Sequence, residues 1–204
     1  TCPYIPGLSE KFLFGSSMAM RRSDPDYLPF LVMYNVFGVL RTSRINLNLR
    51  EDKGYAYRLW SFIEVTRGVG PFMCWAPVDI KYTRESQTEM VREMRDLLGS
   101  RPLTDVELAD SKNNLIKNFP QQFQDYSGIA GQLSDLVKFD LPFDEWNTYT
   151  KLVGAVTGAM ANKAAKDYLH PDALVIVIVG DLEKIEDGIR SLNLGEIVHM
   201  DAVK

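Results

Sequence analysis

The amino-acid sequence predicts an α+β fold, in which a largely antiparallel β-sheet packs against helices, chiefly on one face. Residues 55–65 and 71–82 alternate aromatic and β-branched side chains and are joined by a glycine-containing turn, which is typical of an antiparallel hairpin. Helical periodicity then dominates residues 83–168. Strands and helices do not alternate strictly, as they would in a parallel sheet built from βαβ units.

Composition narrows the class of protein further. The chain has 204 residues, and 23 Lys and Arg against 27 Asp and Glu give a formal charge of −4, which argues against nucleic acid as the main partner. This length and the 46% apolar content favour a single domain over residues 1–204. The longest apolar run, residues 173–180, is far shorter than the ~20 residues of a membrane-spanning helix.

The N-terminus carries neither an initiator Met nor a basic and apolar leader. We therefore expect the chain to be a fragment of a longer protein. The compartment is not fixed by the sequence; for a bacterial protein we expect a soluble chain in the periplasm or cytoplasm.

The N-terminal third begins with a partly alternating segment, residues 10–20, which predicts the first strand. Asp24 and Pro25 then predict a helix start, because an Asp side chain can cap free amides and Pro suits the first helical position. This helix is expected to run to about Val39. In the following hairpin, Pro77 indicates a bulge or an edge position.

The remaining two thirds read mainly as helices. Thr83 opens an amphipathic helix that ends near Leu98. Thr104 and Glu107 have the spacing of a capping box at the start of the next helix. The other predicted elements are helices over 121–140 and 146–168, a buried strand over 173–179 and a short helix over 182–192.

The common catalytic and cofactor motifs are missing from the sequence. His170 and His199 are its only histidines, and neither has a second ligand at the helical offset of a zinc motif, so no metal site is predicted. Cys74 lies in the middle of a predicted strand, where an apolar setting keeps a thiol inert. The strand ending at Gly180 lacks the glycine spacing that would hold a dinucleotide.

Arg50 and Tyr57 form the candidate site. They are seven residues apart across a predicted helix-to-strand corner, so both side chains could face one cleft. A guanidinium and a phenol suit a carbonyl or a developing oxyanion, since both donate hydrogen bonds without titrating near pH 7. The alternative interpretation is structural, with a buried Tyr57 and with Arg50 paired to Glu51 or Asp52.

These residues belong to a longer motif that resembles a known family. The run Leu49–Tyr57, preceded by Ser43–Asn46 and followed by Gly70-Pro71-Phe72, is similar to the C-terminal half domain of the pitrilysin/insulinase family of zinc metallopeptidases, which includes mitochondrial processing peptidase. The resemblance extends to Ser23–Tyr27 and to Pro102–Leu108, and so covers nearly the whole chain. Residues 35–40 depart from the family pattern, because only Gly38 remains of a glycine-rich turn.

The resemblance implies one half of a clamshell of two homologous halves. The other, N-terminal half carries the zinc motif H-x-x-E-H, in the same chain or in a separate subunit, and zinc lowers the pKa of its bound water. This chain would hold no cofactor; it would lend Arg50 and Tyr57 to stabilise the substrate carbonyl and would help to clamp the peptide.

Two other function classes remain open. The first is a catalytically inactive structural subunit, as in the respiratory-complex core proteins that share this fold. The second is an unrelated α+β binding domain in which Arg50 and Tyr57 occur together by coincidence.

We predict that the isolated chain binds no stoichiometric zinc and cleaves no peptide, because two separated histidines cannot build a three-ligand site. Metal analysis of the purified chain checks this. One tightly held zinc ion per chain, lost on substitution of His170 or His199, would contradict it.

Overall fold

The structure is a computed structural model that describes residues 10–18, 20–68 and 70–200. It contains four strands: β1 (Glu10–Met18), β2 (Trp60–Ile63), β3 (Gly70–Val78) and β4 (Val175–Val179). Its α-helices are α1 (Tyr27–Tyr34), α2 (Arg44–Asn46), α3 (Thr83–Leu98), α4 (Asp105–Asn118), α5 (Tyr126–Lys138), α6 (Glu145–Ala155), α7 (Gly158–Tyr168) and α8 (Leu182–Ser191). Segments of π-helix, Asn35–Val39 and Leu47–Asp52, continue α1 and α2, and 3₁₀ turns cover Ile80–Tyr82 and Phe119–Phe123.

The strands form one sheet in the order β2-β3-β1-β4, and every described pairing is antiparallel. The register places Phe14 opposite Cys74 and Trp60 opposite Trp75. The prediction of an antiparallel sheet is therefore confirmed. The predicted strand over 10–20 ends at Met18, and residue 19 lies outside the described residues.

The sheet has one covered face. Along β3, Phe72, Cys74 and Ala76 are fully buried, whereas Met73 and Trp75 on the opposite face remain partly exposed. This alternation is that of a sheet covered by helices on one side only, and it confirms the predicted layering. Burial raises the pKa of the Cys74 thiol well above its usual value, as expected of an inert core cysteine. No described helix is long and apolar enough to span a membrane.

Two strand predictions were wrong in part. The strand predicted over 55–65 is limited to Trp60–Ile63, because the amides of Tyr55 and Ala56 donate to the Leu49 carbonyl and only an isolated bridge joins Ala56 to β3. The strand predicted as buried over 173–179 is β4 at the sheet edge, and Val175 and Val177 are 70% and 46% exposed. An apolar run alone does not distinguish an edge strand with one covered face from a fully buried strand.

Helix boundaries also differ from the sequence prediction. The helix predicted over 146–168 is two helices, since the chain turns at Thr157, whose hydroxyl accepts a hydrogen bond from the Met160 amide. The helix predicted to start near Asp24 begins at Tyr27, because Asp24 accepts from the Arg21 amide within a preceding turn.

Three further helix predictions can be compared directly with the structure. The helix predicted over 121–140 begins at Tyr126, after a 3₁₀ turn. Both predicted starts at Thr83 and at the Thr104 capping box are confirmed.

Position 38 has no room for a side chain. It lies in the π-helical segment after α1, where a Cβ atom would come within 2.2 Å of the Ser61 hydroxyl oxygen on β2. A larger residue at position 38 would push this segment away from the edge of the sheet.

A partly buried ion pair joins α2 to the start of α4. The Arg44 side chain is 8% exposed; its Nε donates to Glu107 Oε1 at 2.7 Å and its Nη2 donates to Glu107 Oε2 at 2.8 Å. Arg44 also donates to the carbonyl oxygens of Arg101 and Pro102. Burial by itself would raise the pKa of Glu107, but the hydrogen bonds from Arg44 and from the Thr104 amide outweigh it and lower this pKa.

We expect Arg44→Leu to lower the free energy of unfolding by about 3 kcal/mol at pH 7, because it leaves Glu107 and two carbonyls without their donor. Thr104→Ala, which removes only the helix cap, should cost about 1 kcal/mol. Urea unfolding measures both. The lowered pKa of Glu107 makes its contribution present above the unfolded value of 4.5 and lost as pH falls through the folded value, so the Arg44→Leu deficit should shrink in acid.

Candidate functional site

The candidate site lies at the corner between the second π-helical segment and the sheet. The carbonyl of Leu49, a fully buried residue, accepts hydrogen bonds from the amides of Tyr55 and Ala56 at 2.8 and 3.3 Å. Gly54 makes the tight return with a φ of +64°, a conformation that favours glycine. Val78 of β3 bridges to Ala56, which attaches the corner to the sheet.

Arg50 and Tyr57 are brought together at this corner. Arg50 lies in the last turn of the π-helical segment, and its Cζ is 5.9 Å from the centre of the Tyr57 ring, within the range of a cation–π contact. Tyr57 is 85% exposed, so the interpretation of Tyr57 as a buried packing residue is wrong. The pairing of Arg50 with Glu51, the other part of the structural interpretation, is observed, since Arg50 Nε lies 3.5 Å from Glu51 Oε1.

Both side chains keep hydrogen-bonding capacity. The Arg50 side chain is 32% exposed, and Glu51 is its only ionic partner within the described chain. Within the same residues, no hydrogen bond reaches the Tyr57 hydroxyl. The pair can therefore present a guanidinium and a phenol to an oxygen atom outside the chain.

A polar cluster that the sequence analysis missed holds the other side of the same segment. Asn48 donates to Glu89 Oε2 at 2.9 Å and to Glu93 Oε1 at 2.6 Å, and both carboxylates belong to α3. Burial alone would raise the pKa of Glu89, but hydrogen bonds from Asn48 and Arg92 lower it below its usual value. The sequence does contain an indication of this cluster. Glu93 interrupts the apolar stripe of α3 between Met90 and Met94, at a position where an unpaired carboxylate would be costly.

A cavity of about 680 Å³ opens beside this cluster, lined by charged side chains from α2, α3 and the start of α4. Most of its charges are already paired, Arg44 with Glu107, Arg101 with Glu93 and Lys53 with Glu89, whereas Asp52 has no ion pair within the described residues. We therefore assign these polar contacts a structural role, because those of Asn48 and Lys53 join the π-helical segment and its C-terminal end to α3.

An aromatic platform continues from the corner onto the open face of the sheet. We define the aromatic platform as Arg58, Trp60 and Trp75. The Arg58 Cζ lies 4.6 Å from the centre of the Trp60 ring, and the two indole rings are 4.4 Å apart. The sequence predicts only strands for these residues, because the stacking of Trp60 on Trp75 depends on the β2–β3 register.

The described residues bring together no group of three His, Cys, Asp or Glu side chains that could hold a metal ion. His170 is exposed after α7, and His199 Nε2 lies 3.3 Å from Glu186 Oε1. Cys2 lies outside the described residues.

Comparison with known proteins identifies the fold. The family described as peptidase M16 inactive domain matches residues 9–115, which is more than half of the chain. A peptidase M16 inactive domain from Pseudomonas fluorescens shares 21% identity over 85% of this chain and 41% of its own, with a TM-score of 0.76. No curated protein sequence matches the chain.

Two further structures show the range of proteins with this fold. A protease from Helicobacter pylori shares 16% identity over 86% of this chain and 42% of its own, with a TM-score of 0.73. A chain in complex III2 from Candida albicans, bound to Inz-5, shares 14% identity over 92% of this chain and 47% of its own, with a TM-score of 0.74. This chain therefore spans less than half the length of these structures.

We expect Tyr57→Phe to change the free energy of unfolding by less than about 0.5 kcal/mol, because Tyr57 is 85% exposed. Arg50→Ala should cost about 1 kcal/mol, because its side chain is only 32% exposed and loses packing of its aliphatic part. Leu49→Ala, at the buried neighbouring position, should cost about 2–5 kcal/mol. Urea unfolding compares the three variants. A large loss of stability in Tyr57→Phe would show that its hydroxyl has a structural partner.

Proposed function

This chain belongs to the peptidase M16 inactive-domain family, and on that premise we propose that it is the non-zinc half of a zinc metallopeptidase. In this proposal Arg50 and Tyr57 donate hydrogen bonds to the carbonyl oxygen of a peptide held between this half and an N-terminal, zinc-bearing half. That half is part of the same chain or a separate subunit. The observation that carries the proposal is the pairing of Arg50 with an exposed Tyr57.

The chemistry of the pair fits an oxyanion better than a neutral carbonyl. Negative charge on the oxygen strengthens hydrogen bonds from a guanidinium and a phenol, so donors fixed in advance favour the transition state over the bound substrate. The Leu49 carbonyl and Gly54 fix the backbone on both sides of Arg50. The described residues supply no set of metal ligands, so zinc is expected in the partner half and no step through it is assigned to this chain.

A structural or interaction subunit of the same fold is the second candidate. It is favoured by the outer surface of α5, where Ile129, Leu133 and Val137 are 39%, 49% and 69% exposed at a spacing of four residues. Such an apolar stripe on a helix suits a protein–protein contact. A scaffold would need the stripe but would not need the exposed donors of Arg50 and Tyr57.

Turnover separates the two candidates. In an assembly that contains the zinc-bearing half, Arg50→Ala or Tyr57→Phe should each lower kcat about 10²–10³-fold, the usual cost of losing one oxyanion donor. The measurement is hydrolysis of a fluorogenic peptide under saturating substrate, with the melting temperature of each variant recorded beside it.

Two matched controls are available in the chain. Arg84→Ala removes an exposed arginine that also pairs with the next residue, Glu85, and Tyr126→Phe removes the hydroxyl of a tyrosine that is 92% exposed. Neither control should change kcat. Unchanged turnover in both Arg50→Ala and Tyr57→Phe, or no turnover by the zinc-loaded assembly, would contradict the catalytic proposal and favour the scaffold.

A further inference from the structure

The outer side of α5 is apolar although it faces solvent. Five side chains, which include the apolar stripe of α5, fall within about 100° of one another around the helix. They form what we call the outer face of α5: Tyr126, Ile129, Ala130, Leu133 and Val137. Tyr126 is 92% exposed and Val137 is 69% exposed, and of the 13 residues of α5 only Leu136 is buried. An apolar face of this width normally packs against another element.

The outer face of α5 also lacks charge. Among the exposed residues of this helix only Lys138 is charged, and its ammonium lies 4.7 Å from the centre of the Phe139 ring. The exposed side of α3, by contrast, carries Arg84, Arg92 and Arg95. Depletion of charge with retention of aromatic and aliphatic side chains distinguishes the core of a protein–protein interface from ordinary surface. It also argues against a membrane, because helices that lie on lipid carry several Lys or Arg on their polar face.

Helix α5 is held in place at both ends although it buries little. At its start, the Asp125 carboxylate accepts a hydrogen bond from the Gly128 amide at 2.7 Å. At its end, Arg67 in the turn after β2 donates to the carbonyl oxygens of Val137 and Lys138. The outer face of α5 is therefore a preformed surface, and binding to it requires little ordering of the chain.

The size of the outer face of α5 indicates which occupant fits. With 13 residues α5 is about 20 Å long, and at a width of about 10 Å the face covers about 200 Å². This is well short of the roughly 800 Å² that each partner buries in a stable free complex, so two copies of this chain joined through α5 alone would associate weakly. Contacts between domains that are already held together are smaller, with totals from about 600 Å². An uncharged but small face therefore suits another domain of the same protein.

We propose that the outer face of α5 is the docking surface for the N-terminal, zinc-bearing half. The proposal rests on the proposed function for the identity of that half, and a structural subunit of the same fold would dock through the same face. The partner surface is apolar and uncharged, because a charge placed against α5 would lose its water and find no opposite charge there. Arg50 and Tyr57 belong to other elements, so the docking role is tested separately from theirs.

Two valines make a matched test possible. Val137 on the outer face of α5 and Val106 at the start of α4 are 69% and 71% exposed in this chain by itself. Each is replaced by Cys in the protein that contains both halves, with Cys2→Ser in the background, since Cys74 is fully buried. We expect N-ethylmaleimide to label Val137→Cys about tenfold more slowly than Val106→Cys, because a thiol must be accessible to react. Mass spectrometry of the labelled peptides measures both rates.

A charge on the outer face of α5 tests whether this face causes the protection. Leu133 is 49% exposed, so Leu133→Asp should leave the folding of this chain nearly unchanged. In the protein with both halves it places a carboxylate against an apolar surface, and it should raise the labelling rate of Val137→Cys about tenfold, to that of Val106→Cys. Val106→Asp, which lies outside the face, should leave the labelling of Val137→Cys unchanged.

Three results would overturn the proposal. Equal labelling of the two cysteine variants would show that α5 stays open when both halves are present. Protection of Val137→Cys that is lost on dilution while the halves stay together would assign the face to a second copy, and protection that needs added lipid vesicles would assign it to a membrane. Because labelling needs no turnover, failure of the catalytic proposal is seen separately: Tyr57→Phe would leave kcat unchanged while Val137→Cys stays protected.

Discussion

The Leu49 carbonyl is the point on which the geometry of the candidate site depends. It accepts hydrogen bonds from the amides of both Tyr55 and Ala56, and Leu49 is fully buried. The chain therefore turns back toward the sheet from a fixed point in the core. Arg50 is the residue after Leu49, and Tyr57 is the residue after Ala56. The two exposed side chains therefore meet because of a backbone constraint, and their own contact contributes little. Within the π-helical segment Asn48 bonds to α3, Leu49 is buried in the core and Arg50 contacts the Tyr57 ring.

A second constraint comes from the polar cluster behind the segment. Glu93 is nearly inaccessible, and its carboxylate is satisfied by Asn48 and Arg101. Removing one partner of such a group is costly, since a buried charge is left without compensation. The cluster therefore makes the position of the π-helical segment on α3 specific. The same logic applies to Arg44 and Glu107, which fix the start of α4 next to α2.

The asymmetry of the sheet links the fold to the proposed role. The covered face buries Phe72 and Cys74 against the helices and supplies the stability of the fold, so the other face is free to carry Trp60 and Trp75. Arg50 and Tyr57 lie on the segment that leads into β2, and the Ala56–Val78 bridge attaches this segment to the sheet. The apolar stripe of α5 is a separate surface, and it is the feature that a purely structural subunit would use.

The sequence by itself determined the α+β class, the antiparallel pairing, the Thr83 and Thr104 helix starts and the family motif that contains Arg50 and Tyr57. These features depend on local periodicity, capping chemistry and residue spacing, which are readable along one chain. Tertiary structure alone decided that β4 is an exposed edge strand, that β2 begins only at Trp60, that Glu93 is buried in a polar cluster and that Arg58, Trp60 and Trp75 stack. Each of these depends on which distant backbone a residue meets, since solvent exposure and strand register are set by the packing of the whole fold.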